Sequence, residues 1–490
     1  MIRTEMGGAD QIYPRVTIEM LPDDILLETF EFYLGKDDAD DIGVYHNYDE
    51  WQMLVHVCRR WRTIVFASPR RLNLNLYLTR RRLVNSKTLD IWPALPIVIY
   101  ARGMQSKEDV TNVIAALRHH NRVCKIDYYN GKPQDSLLRE FAAIDEPFPA
   151  LTYLELFSFA TNVPVLPDSF LGGSTPLLRS LALEGIPYPS IGKLLSSTTN
   201  LVRLSLWNIP HSGYISPETI VPCLFMLPML KSLRLGFQHP RSLPHRTNRQ
   251  PPPLTRVVFP NLTSLRFCGD LGYLEDILSR IETPMLNETN FHVFNQLVFD
   301  TPLLEHFIRR TETFMTIHTA HIQFRLADIQ IMLLRQEEIP NNNRDVLNLT
   351  ITCKALDWQL SAVTQVLNSF LYCLPGLEIL EVVAFEDFQG EVEVIQWREF
   401  LHLFTSVKIM ILESEDAVRL IAPALQEFAR ERSMLPALQT LFVRASPSRP
   451  LSSGSLRESI EQFIAARRFS DRHVTVDYQG IKLRGPFRGR

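Results

Sequence analysis

The chain has 490 residues, of which 46% are hydrophobic and 21% are charged, and its formal net charge is −3. This composition excludes a largely disordered chain, and the length predicts two to four domain-sized units. A near-neutral charge gives no overall basic excess for binding nucleic acid or an anionic membrane.

The cysteines and the apolar stretches indicate the compartment. Six cysteines are scattered along the chain without a CxxC pair, which predicts reduced thiols and no disulfide framework. The first ten residues lack the apolar core of a secretory signal. The longest nearly apolar stretch, residues 92–101, contains two prolines and is too short to span a bilayer. We therefore expect a cytoplasmic and/or nuclear protein with no membrane association.

After a flexible start over residues 1–15, an amphipathic helix is predicted to begin at Leu21-Pro22. Proline suits the first turn of a helix, and Asp23 and Asp24 complement the positive end of its dipole. The apolar face repeats with helical spacing at Leu26, Phe30, Tyr33 and Leu34. A polar, acidic loop over residues 36–50 follows.

A second amphipathic helix is predicted from Trp51 to Val65, ended by Ser68-Pro69. Residues 1–50 carry thirteen acidic and three basic residues, whereas residues 59–87 carry nine basic and no acidic ones. We interpret this as an acidic helix facing a basic helix, since a single-strand nucleic-acid platform would need interleaved aromatics. Two such helices need a third helix or a partner protein to bury their apolar faces.

Two motifs in this region resemble the F-box: Leu21-Pro22-x-x-Ile25-Leu26-x-x-x-Phe30 and Leu54-x-x-Val57-Cys58-Arg59-Arg60-Trp61. That family folds as a small helical bundle whose exposed apolar residues insert into the adaptor subunit of SCF-type ubiquitin ligases. The resemblance implies a module over residues 16–72 whose bundle and adaptor face are formed by Leu21, Pro22, Ile25, Leu26, Phe30, Leu54, Val57, Cys58 and Trp61. The loop after residue 35 is longer than usual in the family, and residues 68–72 lack a tryptophan often found there. The alternative is an ordinary helical hairpin in a larger core.

Residues 73–147 are predicted to be a linker with atypical capping repeats. Strand patterns occur at 72–78, 97–100 and 125–129, and a helical pattern at 110–117. From about residue 148 the phrase Pro-x-Leu-x-x-Leu-x-Leu recurs, with lead residues at 151, 178, 201, 230, 262, 377, 407 and 438. Weaker copies lie at 301–307 and 407–412.

This phrase places two leucines on one face of a short strand, and helical patterns lie between the copies. The repeats resemble leucine-rich repeats, so the predicted fold is α/β: an N-terminal helical F-box followed by an irregular leucine-rich-repeat solenoid over residues 148–466. The asparagine or cysteine usual at the ninth repeat position is missing, and residues 308–345 are out of phase. A non-repetitive α/β domain is the alternative. Residues 239–256 are predicted to be a mobile loop, Asn341–Asn343 a polar turn, and residues 467–490 a frayed basic tail.

The sequence contains no phosphate-binding loop, nucleophile elbow or metal-ligand spacing, so we expect no cofactor, no metal and no catalytic activity. Function is expected on the outward positions of the repeat strands, on the concave face of the solenoid. The candidate target-binding residues are Glu155, Arg203, Trp207, Arg234 and Arg266. The arginines would suit an acidic or phosphorylated degron, and the alternative is that they only solubilise the strand face.

The predicted function is that of a substrate receptor, with the SCF adaptor, through it a cullin, and an unknown target as partners, and without nucleic acid. A non-degradative scaffold, an unrecognised enzyme and a nucleic-acid-binding protein remain as alternatives.

Overall fold

The computed structural model describes residues 17–34, 50–79, 89, 93–103, 106–131, 136–160, 162–243, 253, 255–294, 299, 301–335, 344–384, 393–444, 454–469 and 473–479. The chain divides into two compact units, Met1–Ile126 and Asp127–Arg490. The boundary falls inside the predicted linker rather than at residue 147. The predicted N-terminal segment and acidic loop, most of the predicted loop at 239–256, the Asn341–Asn343 turn and the last eleven residues lie outside the described residues.

The first unit begins with three helices: α1 (Asp23–Leu34), α2 (Glu50–Val57) and α3 (Arg59–Ala67). The prediction of one helix from Trp51 to Val65 is therefore wrong. Cys58 has an extended backbone (φ −157°, ψ 171°), and its sulfur accepts a hydrogen bond from the Trp61 amide at 3.5 Å. It therefore caps α3 and separates it from α2, which provides the third helix that two amphipathic helices lack.

The three helices are held by apolar contacts and by ion pairs. Leu26 and Phe30 of α1 are buried, and the Phe30 ring packs 4.7 Å from the ring of Trp61. Arg60 on α3 pairs with Asp23 at the start of α1, at 2.6 Å. This pairing agrees with the interpretation of an acidic helix facing a basic one.

The rest of the first unit follows the predicted pattern. Strand β1 (Leu76–Thr79) pairs in parallel with β2 (Ile97–Arg102), and helix α4 (Lys107–Leu117) follows. Ser106 and Asp109 form a capping box at the start of α4. Strand β3 (Val123–Asn130) spans the boundary between the units.

The second unit is mixed α/β, with a long, mostly parallel sheet and helices. Its strands are β4 (Tyr153–Ser158), β5 (Ser180–Glu184), β6 (Arg203–Ile209), β7 (Ser232–Phe237), β8 (Val257–Val258), β9 (Ser264–Gly269), β10 (Ile281–Glu282), β11 (Glu288–Val293), β12 (Ile317–Phe324), β13 (Asp328–Arg335), β14 (Arg344–Thr352), β15 (Ile379–Ala384), β16 (Ile409–Leu412), β17 (Thr440–Arg444) and β18 (Thr475–Gln479). Its helices are α5 (Ser136–Ala142), α6 (Ile191–Leu195), α7 (Pro217–Phe225), α8 (Leu271–Arg280), α9 (Pro302–Arg310), α10 (Leu356–Asn368), α11 (Val394–His402), α12 (Glu415–Glu427) and α13 (Gly454–Phe469).

The repeated leucines explain the regular part of this sheet. The sheet runs β4-β5-β6-β7-β9-β11, each strand parallel to its neighbours. The lead residues of the repeats are buried just before their strands, and the second and third leucines of each copy point inward. Each strand thus buries its leucines in register with those of the next, as a leucine-rich repeat requires.

The predicted out-of-phase region is an insertion in strand order. The sheet continues β11-β14-β13-β12-β15, and β13 is antiparallel to both of its neighbours. From β11 the chain passes to β12, which lies three strands further along the sheet. It then returns toward β11 through β13 and β14, and the parallel order resumes where β15 pairs with β12 and β16. Strands β11 and β14 lack the repeat phrase, so the sequence analysis missed them.

The weak repeat copy predicted at residues 301–307 is wrong, because this segment forms helix α9. Pro302 occupies its first turn, and Leu304, Phe307 and Ile308 are buried at helical spacing. The buried carboxylate of Glu275 accepts hydrogen bonds from the amides of Leu303 and Leu304, at 3.0 and 3.1 Å. This carboxylate satisfies amides that the first turn leaves free.

The predicted basic tail is also corrected. Residues 467–469 lie in α13, and residues 475–479 form β18, which pairs with β17. The side chain of Arg467 is completely buried and donates hydrogen bonds to the carbonyls of Met434 and Leu435. Beyond the predicted boundary at residue 466, residues 467–469 thus belong to a helix and residues 475–479 to a strand, and the buried Arg467 guanidinium with its carbonyl acceptors anchors the helix.

Candidate functional site

The nine residues of the two motifs that resemble the F-box divide into two groups in the first unit. Leu26, Phe30 and Leu54 are buried, whereas Leu21 and Trp61 are partly buried. The exposed group comprises Pro22, Ile25, Val57 and Cys58, with Ile25 42% and Val57 59% exposed. The motif residues therefore provide both a helical core and an exposed apolar surface.

Two residues that the sequence analysis left out extend this surface. Phe32 on α1 is 90% exposed, and Met53 on α2 is 67% exposed. Phe32 lies seven residues after Ile25, and Met53 lies four residues before Val57, so each pair shares one face of its helix. The helical spacing of the sequence places Phe32 and Met53 outside the buried apolar face of their helices, and this signal could have identified them.

The outward positions of the repeat strands in the second unit form registered rows. One row is Tyr153, Ser180, Arg203, Ser232 and Ser264, and the next is Glu155, Ala182, Ser205, Arg234, Arg266 and Asn290. Side chains of registered residues project from the same face of a sheet. Arg203 lies in the first row and Arg234 and Arg266 in the second, so the three predicted arginines do not form one line.

Acidic partners accompany these arginines. Arg266 pairs with Glu288 at 2.6 Å, and the Arg203 Nε donates to Ser180 at 3.5 Å. The Arg234 guanidinium lies 3.9 Å from the ring centroid of Trp207. Burial lowers the pKa of Arg234, while the charge of Glu184 acts in the opposite direction. The surface predicted as basic thus carries both signs of charge.

A third row completes the surface, and the sequence analysis missed most of it. Phe157, Glu184 and Trp207 are registered on adjacent strands β4, β5 and β6. Trp207 also covers Gly236 of β7, where an added Cβ would lie 2.5 Å from the indole ring. Tyr129 stacks on Phe157 at 4.4 Å. Phe157, Glu184 and Trp207 each follow directly after a copy of the leucine phrase, and this position in the sequence could have identified them.

Burial and neighbouring charges act on Glu184. Burial has the largest effect and raises the pKa of Glu184. The charge of Arg234 lowers this pKa, and the charge of Glu155 raises it further. Asn208 donates a hydrogen bond to the Glu184 carboxylate at 2.8 Å. Glu155 accepts a hydrogen bond from the Tyr153 hydroxyl. Both carboxylates are thus oriented on the same side of the sheet.

A cleft of about 560 Å³ lies at the carboxyl ends of β4 to β7. Its walls include Ser158, Phe159, Gly185, Asn208 and Gln238, each at or just after the end of one of these strands. Gly185 and Asn208 have left-handed backbones, with φ of 71° and 51°. Gly185 directly follows β5, whereas Asn208 lies within β6, where the register with β7 shifts between Leu206 and Ile209.

A separate polar cluster lies on β12, β15 and the ends of β16 and β17. His321 contacts Glu381 at 2.9 Å, and Arg444 contacts Glu413 at 2.5 Å. Burial would raise the pKa of Glu381, but hydrogen bonds from His321 and Glu413 hold it below its ordinary value. Burial and then Glu381 raise the pKa of Glu413. The groups satisfy one another, as expected of a structural ladder between strands.

In the part of the chain that the structure describes, no group of three or more His, Cys, Asp or Glu side chains is placed to hold a metal ion. None of the described helices has the length and apolar character needed to cross a membrane.

No family model matches the chain, and no curated protein matches it. Among solved structures, the chain is similar to the leucine-rich repeat-containing protein LegL7 from Legionella pneumophila, with 14% identity and a TM-score of 0.28, over 69% of this chain and 97% of that one. It is also similar to a chain of the TLR13–ssRNA13 complex, with 12% identity and a TM-score of 0.30, over 83% of this chain and 49% of that one. The mixed α/β fold with its long parallel sheet resembles that of leucine-rich-repeat proteins, on the grounds of strand register and buried leucines.

Proposed function

We propose that this chain is a substrate receptor of an SCF-type ubiquitin ligase. Its first unit binds the adaptor subunit and, through it, a cullin, and its second unit binds a target protein. The chain is not itself an enzyme in this proposal. It acts by proximity, because holding a target beside a partner enzyme raises the effective concentration of the target for ubiquitin transfer.

One observation carries the proposal: the F-box motifs leave apolar side chains on the surface. A helical bundle that served only as part of a larger core would bury them, yet the motif residues Ile25 and Val57 are exposed. Phe32 and Met53, which share their helix faces, are exposed as well. Large apolar side chains exposed on several short helices are typical of a protein-binding surface. The ion pair between Arg60 and Asp23 and the packing of Phe30 on Trp61 hold α1 against α3. Arg62 of α3 donates to the Val55 carbonyl of α2 at 3.0 Å.

Binding of the isolated SCF adaptor subunit to the full chain tests this proposal. The change of Ile25 and Val57 together to Asp places two charges on the exposed surface without touching the buried residues. We expect adaptor affinity to fall by at least tenfold per residue, since each buried aliphatic side chain contributes about 1.5–3 kcal/mol. The matched control is Val258→Asp in the second unit, an aliphatic residue 48% exposed.

Two results would overturn the proposal: no adaptor binding by the unmodified chain, or equal binding by the double variant. A second measurement addresses the scaffold alternative. Depletion of the adaptor in cells should raise the abundance of proteins that co-purify with the second unit if the chain is a receptor. Partners of a non-degradative scaffold would keep their abundance.

A further inference from the structure

In the second and third rows of the outward face, strands β4 to β7 carry two carboxylates, Glu155 and Glu184, and one guanidinium, Arg234. Arg203 lies in the first row, where its Nε donates to Ser180. Glu155 and Glu184 project from adjacent strands of the same face, two residues apart in register. The charges of both carboxylates act on the Arg234 guanidinium, which lies 3.9 Å from the ring centroid of Trp207. Two carboxylates and one guanidinium leave one negative charge, so this part of the face is complementary to a single added cation.

Small side chains lie in register beside Glu155, one of the two carboxylates. Ala182 and Ser205 lie between Glu155 and Arg234 in the same row, and both are small. Phe157 and Trp207 flank Glu184 on the two neighbouring strands. Aromatic walls beside carboxylates suit a lysine or arginine, since the aliphatic stem packs on the rings and the charged end reaches the acids.

An apolar surface adjoins this position. Phe159 is 58% exposed and packs edge-on against Phe157, with ring centroids 4.5 Å apart. Phe159 also lines the cleft at the strand ends, together with Val163, Pro187 and Pro210. Asn208 belongs to both places, because it lines the cleft and donates to Glu184. The carboxylates and the cleft therefore form one continuous surface.

An acidic or phosphorylated segment fits this surface poorly. Arg266 is paired with Glu288, and Arg234 is partly buried against Trp207 and close to Glu184. A phosphate would have to displace these contacts and approach the two carboxylates. Burial of like charges without compensation is strongly unfavourable.

We propose that this face binds a target segment that carries one basic side chain next to an apolar one. The lysine or arginine contacts Glu155 and Glu184 between Phe157 and Trp207, and the apolar side chain enters the cleft beside Phe159. This inference rests on the proposed receptor function and names the class of target that the second unit would recognise.

Selection of peptides tests the inference. The immobilised full-length chain is exposed to a phage-displayed library of random linear peptides, and the bound sequences are compared with those bound by Glu155→Gln/Glu184→Gln. Gln has nearly the shape of Glu and still accepts hydrogen bonds from Tyr153 and Asn208, so the fold should be preserved. We expect the unmodified chain to enrich Lys or Arg next to an aromatic or aliphatic residue, and the double variant to lose this preference.

Single peptides then give the magnitude. Replacement of the selected basic residue by Gln should weaken binding about tenfold or more, as expected for a hydrogen-bonded charge pair. Arg266→Gln is the matched control and should leave the selected motif unchanged. Enrichment of acidic residues, absence of a basic motif, or the same motif from the double variant would overturn the inference. Adaptor binding through Ile25 and Val57 is measured separately, so the receptor function can hold even if this inference fails.

Discussion

Gly185 ends strand β5 in a conformation that a side chain would oppose, and its replacement by Ala tests the register of the repeats. Its φ of 71° lies in the left-handed region, and a Cβ built on it would lie 2.3 Å from the carbonyl oxygen of Ser158. The conformation alone costs an L-residue about 1–2 kcal/mol. Overpacking against backbone adds about 1–3 kcal/mol. We expect Gly185→Ala to destabilise this part of the sheet by about 3 kcal/mol.

Hydrogen exchange with mass spectrometry is the suitable assay, because repeats lose stability locally and global unfolding of a long array need not be two-state. About 3 kcal/mol corresponds to a rise of roughly a hundredfold in the exchange of amides that open with the segment. Such amides include Gly185 itself, which donates to the Trp207 carbonyl at 2.9 Å. Peptides from β15 to β17 should exchange as in the unmodified chain.

Gly131→Ala is the matched control. A Cβ at this position would meet only the Tyr129 ring, at 3.7 Å or more, which is an ordinary contact. We expect this change to alter stability by less than about 1 kcal/mol. Unchanged protection of β5 and β6 in Gly185→Ala, or equal loss in both variants, would refute the described approach of Gly185 to Ser158.

Three further changes test other parts of the structure. Cys58→Ala should speed amide exchange in α3, since loss of an N-cap costs about 1 kcal/mol; slower exchange would indicate the continuous helix that Ala favours. Arg467→Met should lower the stability of α13 and β18 by about 3 kcal/mol, because the carbonyls that accept hydrogen bonds from Arg467 lose their donor. The control Arg468→Met changes an exposed residue and should have no such effect. Equal effects of the two changes would contradict the burial of Arg467. Burial lowers the pKa of His292 from its ordinary 6.5, so the unfolded chain binds the proton more readily. Stability should therefore decrease as pH falls from about 6.5 through the lower folded-state pKa, and thermal unfolding of His292→Asn should show a weaker pH dependence in that window; an unaltered slope would exclude His292 as its source.

The local patterns of the sequence were sufficient for the leucine repeats and for helices α1 and α4 of the first unit. The leucine spacing that predicts a strand spans only a few residues, so the repeated phrase was sufficient to predict the register of β4 to β7. Helical spacing likewise placed α1 and α4 close to their observed bounds. The assignment of this first unit to the F-box family and of the whole chain to a ubiquitin ligase stays a prediction from the motifs, and the proposed adaptor experiment tests it.

Long-range contacts decided the rest. The free energies of a helix that starts at an N-cap and of a helix that continues through the same residue differ by only about 1 kcal/mol. The break at Cys58 therefore depends on how α3 packs against α1. The strand order at β12 to β14 depends on pairing between segments far apart in sequence, and the alternation within each strand is the same for a parallel or an antiparallel neighbour. The burial of Arg467 depends on carbonyls more than thirty residues away. The sequence alone thus determined which residues face inward, whereas the tertiary structure decided which charges meet on the outward face, because ion pairs such as Arg266–Glu288 form between strands rather than along them.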